Sequence, residues 1–341
     1  MGITLSVLDQ SSVVSGRGPD DALRETLALA PRVEAWGYHR YWLAEHHNSG
    51  AHAGSAPEIM IAAIAATTRR IRVGSAGVML PHYSALKVAE QFRVLEAIAP
   101  GRIDLGLGRA PGSDGRTAYA LNPDAAQAAD RFPQMLRDVL GWLGDGLPVD
   151  HPFRAVTASP VVPTRPEAWI LGSSDYGAQV AAYFGLPYCF AHFITDGAGA
   201  DTAMHLYREG FRPGPHGAAP HGAIAVYALA APTEAEADRL FGPRALSRLR
   251  RDRGIYAPLA TPEEVAAHDF SEAERMRIAD MRARALVGTP ERVAARINAL
   301  AAELGVQEVA ILTPCHDAEA RAESYRLIAR EFGMLESRAA A

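Results

Sequence analysis

The residues Tyr41-Trp42-Leu43-Ala44-Glu45-His46-His47 form an apolar run that ends abruptly in a carboxylate and two imidazoles. Such a run reads as a buried strand, and its polar tip would sit at the rim where α/β folds place their chemistry. The small polar residues from Asn48 to His52 then read as a loop. An imidazole suits general-base or hydrogen-bond work, because its pKa lies near neutral pH. Successive strand residues point to opposite faces, so His46 and His47 cannot share a metal ion without a bend. There is no His-Glu-x-x-His, His-x-His or paired-cysteine pattern, and no metal is expected. A histidine simply satisfied within the rim is the competing reading.

Two further stretches could bind an anion. Gly106-Leu107-Gly108-Arg109-Ala110-Pro111-Gly112 is glycine-rich, but its third glycine comes one residue late and Pro111 stands in the way. It therefore fails as a dinucleotide fingerprint. It does place Arg109, a planar donor suited to phosphate, at a strand tip. In Gly172-Ser173-Ser174-Asp175-Tyr176-Gly177 a strand ends and a helix begins. Helix-start N–H groups with serine hydroxyls would hold a phosphate, although ordinary capping by Ser174 or Asp175 explains the same residues. Taken with Arg109, a phosphate-bearing cofactor is the favoured reading. Gly74-Ser75-Ala76-Gly77 is unusually small for a buried strand; either a flat ring lying on it or tight packing would account for that.

These candidates need a scaffold. Apolar runs near 3–8, 39–44, 71–78, 103–108, 168–172, 187–191, 223–230 and 306–312 alternate with helical patterns near 20–36, 57–68, 84–98, 124–144, 175–184, 200–210, 289–304 and 317–332. Eight strand–helix units predict an α/β fold, a closed (β/α)8 barrel, with an open doubly wound sheet as the alternative. Ser55 before Pro57 reads as a helix start, as does Thr289-Pro290. Gly37, Gly185 and Gly305 read as left-handed helix ends. Residues after the first, third and sixth strands, including Gln10, His82 and His192, would face substrate. Residues 211–222 are rich in Pro and Gly and read as a mobile surface loop. Residues 231–288 are too long for one barrel helix and form an insertion before the last strand, either a lid or a solvated decoration. The whole chain, 1–341, is then one barrel domain.

Composition narrows the function classes. The 341 residues carry 34 basic and 39 acidic side chains and a net charge of −5, which is not the footprint of a nucleic-acid binder. Cys189 and Cys315 lie in apolar runs and read as buried free thiols in a reducing cytoplasm. The N-terminus shows no basic leader, and no apolar stretch is long enough to span a membrane.

Several of these motifs, in this order, resemble the bacterial luciferase-like flavin monooxygenases: Leu43-Ala44-Glu45-His46-His47, Val73-Gly74-Ser75-Ala76-Gly77-Val78-Met79-Leu80-Pro81, Pro100-Gly101-Arg102-Ile103-Asp104-Leu105-Gly106-Leu107-Gly108-Arg109 and Phe184-Gly185-Leu186-Pro187. The likeness is greatest to single-chain members that tailor natural products, such as the mensacarcin-type polyketide enzymes. The resemblance implies a TIM barrel that takes reduced FMN (FMNH2) from a separate flavin reductase and oxygenates an organic substrate with O2 through a C4a-peroxyflavin. It implies that His46 is the active-site histidine beside the flavin and that Ala76-Gly77 is a cis peptide under the ring. Arg109, Ser174 and the backbone around Ser173 would hold the phosphate, with Glu45 and Gly172 completing the cofactor site. Gly108 stands where the luciferase α subunit has a reactive cysteine, and Gly177 replaces a hydroxyl residue. A homodimer through the helices after the second and third strands is also implied. An F420-dependent oxidoreductase or a non-catalytic flavin-binding barrel are the alternatives. Apolar rim residues suggest a neutral aromatic, polyketide-like or long-chain substrate.

Overall fold

The computed structural model describes residues 2–109 and 114–335; Ala110, Pro111 and Gly112 of the glycine-rich run fall outside them. Nine strands occur in chain order: β1 Thr4–Asp9, β2 Arg40–Leu43, β3 Arg72–Met79, β4 Ile103–Gly108, β5 Glu167–Gly172, β6 Tyr188–Phe190, β7 Gly222–Ala230, β8 Leu286–Gly288 and β9 Glu308–Leu312. All their pairings are parallel. β1 to β6 pair in sequence, β6 pairs β7, β7 pairs β9 and β9 returns to β1. Eight strands therefore close a barrel, which excludes the open sheet. β8 was not legible as a strand; it adds to the upper part of β7, from Ala228↔Leu286 to Ala230↔Gly288.

The two-residue period of the strands separates the core into two layers. Leu8, Trp42, Ala44, Trp169, Cys189, Ala223, Ala225, Ala310 and Leu312 fill the barrel. Val7, Tyr41, Leu43, Val73, Leu105, Ile170, Val226 and Ile311 pack outward among helix residues such as Val33, Ile61, Phe92 and Ile297.

Helix boundaries follow their local chemistry, with two departures from expectation. The helix Pro57–Thr67 is capped at Ala56, not Ser55, and keeps Pro57 in its first turn. The pattern near 124–144 is not one helix: Ala125–Asp130 stops at Arg131, and Phe132–Leu140 starts anew before a π turn. Pro133 explains the break, because a proline cannot donate to the carbonyl four residues back and its ring clashes there. Gly185 and Gly305 do end their helices with φ +65° and +62°. Residues 211–221 close in a turn between Gly214 and Gly217, tied to Ala182 by the Arg212 amide.

The 231–288 segment consists of the helices Glu234–Asp252, Pro262–Ala266 and Glu272–Arg284 followed by β8. Its first helix and Met281 of the third pack on the barrel, while Pro262–Ala266 buries none of its residues. Leu240, Phe241, Leu249 and Met281 pack with Tyr227, Leu229 and Cys315 at the C-terminal mouth of the barrel. Leu259 pairs by backbone with Val13 and Ser15 in the loop after β1, at 2.8 Å in each direction. The segment thus spans part of the mouth.

The opposite, N-terminal end is closed by charge. Arg40 meets Asp104, Glu167 and Glu308 at 2.9, 3.1 and 3.0 Å, and Arg72 also holds Asp104 and Glu167. Among the described residues no helix is long and apolar enough to cross a membrane.

Candidate active site at the barrel mouth

The tip of β2 divides its polar residues between two sides, as strand alternation requires. Glu45, 2% exposed, accepts from the Met79 amide at 3.1 Å, from the Tyr83 hydroxyl at 2.6 Å and faces the His47 ring nitrogen at 2.7 Å. It clamps the end of β3 to the end of β2. His47 is therefore part of that clamp. His46 points the other way, its ring 4.4 Å from that of His52, while its amide donates to the Gly54 carbonyl at 2.8 Å. The Nδ1 atoms of His46 and His52 are both buried with no hydrogen-bond partner among the described residues. Burial pushes the His46 pKa down to about 4 and His52 to about 3, and the charge of Arg251 adds to both. Both imidazoles are neutral at pH 7, each keeping one N–H donor and one acceptor nitrogen for a ligand.

β3 carries the second feature. Between Ser75↔Leu105 and Val78↔Leu107 it has one residue more than β4, a bulge at Ala76-Gly77, and that peptide bond is cis. The small residues here are demanded by the neighbouring strand. A Cβ on Gly74 would lie 2.4 Å from the Asp104 carbonyl oxygen, and one on Gly77 2.7 Å from that of Gly106. Close backbone approach, rather than a ligand, thus accounts for these glycines. Ala76 remains half-exposed and packs against the interior layer.

Arg109, at the tip of β4, lies with its guanidinium 4.1 Å from the Tyr176 ring centre, beside the start of the helix Asp175–Phe184. Ser174 is the N-cap of that helix by backbone, yet its side chain makes no capping bond. Its carbonyl instead accepts from Tyr188 at 3.0 Å. An exposed guanidinium, an uncommitted hydroxyl and first-turn N–H groups therefore converge after β4 and β5, with half-exposed Gly172 and Ser173 between them. This donor set suits a phosphate monoester. Gly177 is glycine for a steric reason, since a Cβ would sit 3.3 Å from the Tyr188 ring. Gly108 has no such reason: its nearest neighbour would be the Val78 carbonyl at 4.0 Å.

The remaining expected site residues scatter. Alternation places Gln10 above Leu8, on the interior side. His82 is 5% exposed and falls beside His47 and Tyr83, at 6.2 Å between ring centres in each case. It belongs behind the Glu45 clamp and not with His46. His192 follows β6 and lines a cavity with Tyr227 and Arg244. Sequence reasoning weighed His52 only as a metal ligand with Glu45, His46 and His47, and gave no role to Tyr227, Arg244 and Arg251. The signal was the spacing 244, 248, 251, which repeats on one helix face.

Comparison with known proteins agrees with this geometry. The family model described as luciferase-like monooxygenase matches residues 1–308. YwcH of Bacillus subtilis (strain 168) is 44% identical over 97% of this chain and 99% of its own length. The N-acetyl-S-alkylcysteine monooxygenase of the same organism is 36% identical over 96% and 97%. The crystal structure of apo-MsnO8 superimposes with a TM-score of 0.87 at 37% identity, covering 97% of this chain and 99% of that one. With its closed barrel and its matched length, the chain belongs to the luciferase-like monooxygenase family.

Proposed function

We propose that this protein is a two-component flavin monooxygenase that receives reduced FMN from a separate reductase and uses O2 to oxygenate an organic substrate at the barrel mouth. The observation that carries the reading is the pairing of a phosphate-type donor set, Arg109 with Ser173 and Ser174, with a neutral His46 whose Nδ1 has no hydrogen-bond partner among the described residues. Arg109 and the first turn of the helix Asp175–Phe184 would hold the FMN phosphate, and the bulge at Ala76-Gly77 would lie along the ring. Bound reduced flavin would supply the oxygen activation. His46 would hold or move a proton through Nδ1, and its burial keeps it free of competing water. Glu45 positions His46 indirectly, by fixing the strand tip. The helices after β2 and β3 expose Ile59, Val94 and Ile98, at 66%, 46% and 53%, an apolar face that suits a homodimer contact.

Replacing His46 with alanine tests the assignment. The variant is expected to fold and bind FMN as the parent does, and to lose about a hundredfold or more in turnover. Undiminished oxygenation by His46→Ala would remove the residue from its role.

A further inference from the structure

The helix Glu234–Asp252 sets Arg244, Arg248 and Arg251 along one face, and their pairing is unequal. Arg248 is neutralised by Asp196 at 3.5 Å and Asp252 at 3.0 Å. Among the described residues no carboxylate lies within ion-pair distance of Arg244, whose guanidinium rests 4.9 Å from the centre of the Tyr227 ring. Burial lowers the Arg244 pKa only to about 10, so it stays a cation at neutral pH. The Tyr227 hydroxyl, on a side chain 7% exposed, is also buried and without a hydrogen-bond partner among the described residues. A buried hydroxyl without a partner is costly, and beside a half-buried cation with no carboxylate it calls for an explanation.

Both groups line one cavity of about 40 Å³, with His192 and Asp196 at its polar side and Phe193, Val226, Phe241, Met281 and Leu286 around them. Asp196 already faces Arg248. His192 is held toward its neutral form by burial, and Arg284 is paired with Asp280 at 2.6 Å. The face continues to Arg251, about 10 Å along the helix from Arg244, whose charge acts on both His46 and His52.

We propose that Arg244 and Tyr227 form a subsite for the carboxylate of the substrate, which is therefore an organic acid with an apolar body and not a neutral molecule. The proposal rests on the monooxygenase reading for the location of the reacting end. The acid group seats beside the guanidinium and the Tyr227 hydroxyl, and Phe241 and Met281 cover the first part of the body. The subsite is separate from the phosphate donors at Arg109 and Ser174, which stand after β4 and β5.

The test uses the isolated protein, with 3-phenylpropanoate and 3-phenylpropanamide as probes and calorimetry as the readout, beside a fluorescence titration with FMN. The parent is expected to bind the acid about tenfold or more tighter than the amide. Arg244→Gln should abolish that preference and Tyr227→Phe should reduce it, with FMN affinity unchanged in both. Equal binding of acid and amide by the parent, or an acid preference that survives in Arg244→Gln, overturns the proposal. Loss of FMN binding in Arg244→Gln overturns it too, by making the anion the cofactor's. If either variant fails to fold, the comparison of acid and amide on the parent still decides. Failure of the parent to bind FMN strikes the monooxygenase reading alone.

Discussion

The two ends of the barrel treat buried polar groups in opposite ways. At the N-terminal end Arg40 has three carboxylate partners, Glu308 also accepts from Ser6, and the Trp42 indole donates to Asp104 at 2.9 Å. At the C-terminal mouth His46, His52 and Tyr227 each keep a buried polar atom with no partner among the described residues, and among those residues no carboxylate lies within ion-pair distance of Arg244, which rests on the Tyr227 ring. One end has spent most of its hydrogen bonds on holding the fold, with Trp169 Nε1 and Glu96 Oε2 the buried exceptions. The other has kept them for molecules that arrive later, which is how functional sites differ from structural networks. The same residue type can therefore be essential to stability at one end and irrelevant to it at the other.

The sharpest break of this contrast is Arg40→Met. It leaves Asp104 with Arg72 as its one remaining guanidinium and takes from Glu308, 1% exposed, the guanidinium that neutralises it, and should cost about 3–5 kcal/mol in urea unfolding. An effect near zero would show that the lower network does not hold the fold.

Acid separates the ends next. His46 and His52 are held neutral in the fold, with pKa values lowered from 6.5 to about 4 and about 3. The unfolded chain takes up their protons first, so stability falls as pH drops from 6.5 toward 4. Glu308 is depressed from 4.5 to about 2; burial opposes this, and bonds from His221 and Ser6 with the charge of Arg40 outweigh it. Its contribution is intact above pH 4.5 and is lost as pH falls through 2. Replacing both mouth histidines with glutamine should flatten the upper part of the unfolding-versus-pH curve and leave the lower part in place.

Arg109→Ala is a smaller change. It should weaken FMN binding about tenfold, read by flavin fluorescence, with no loss of stability, since Arg109 is exposed. Arg244→Gln should also be small on the stability scale, within about 1 kcal/mol of the parent, because no ion pair is lost and only its contact with the Tyr227 ring goes. A large destabilisation there would erase the difference between the two ends.

The sequence revealed the scaffold better than the mouth. Strand periods and helix ends such as Gly185 and Gly305 are local properties, so the eight-strand ring was readable from them. β8 was not, because three residues, Leu286–Gly288, carry no period. The opposed directions of His46 and His47 were also legible, since strand geometry alone decides them. His52 was harder to place, because a loop must fold back before its ring can meet that of His46. The 231–288 segment that carries Arg244 and Arg251 read equally as a lid or a solvated decoration; only the packing of Leu240, Phe241 and Leu249 on Tyr227 and Leu229 shows that its first helix lies against the barrel. The glycines of β3 had two explanations in sequence, and the backbone of β4 selected the steric one.

The most direct test of the account is oxygen uptake after anaerobic titration with reduced FMN and, in parallel, reduced F420. The account predicts saturable binding of FMNH2, weakened in Arg109→Ala, followed by O2 consumption that gives an oxygenated organic product and fails in His46→Ala. Preferential binding of reduced F420, or FMNH2 binding with no substrate oxygenation in the parent protein, would contradict it.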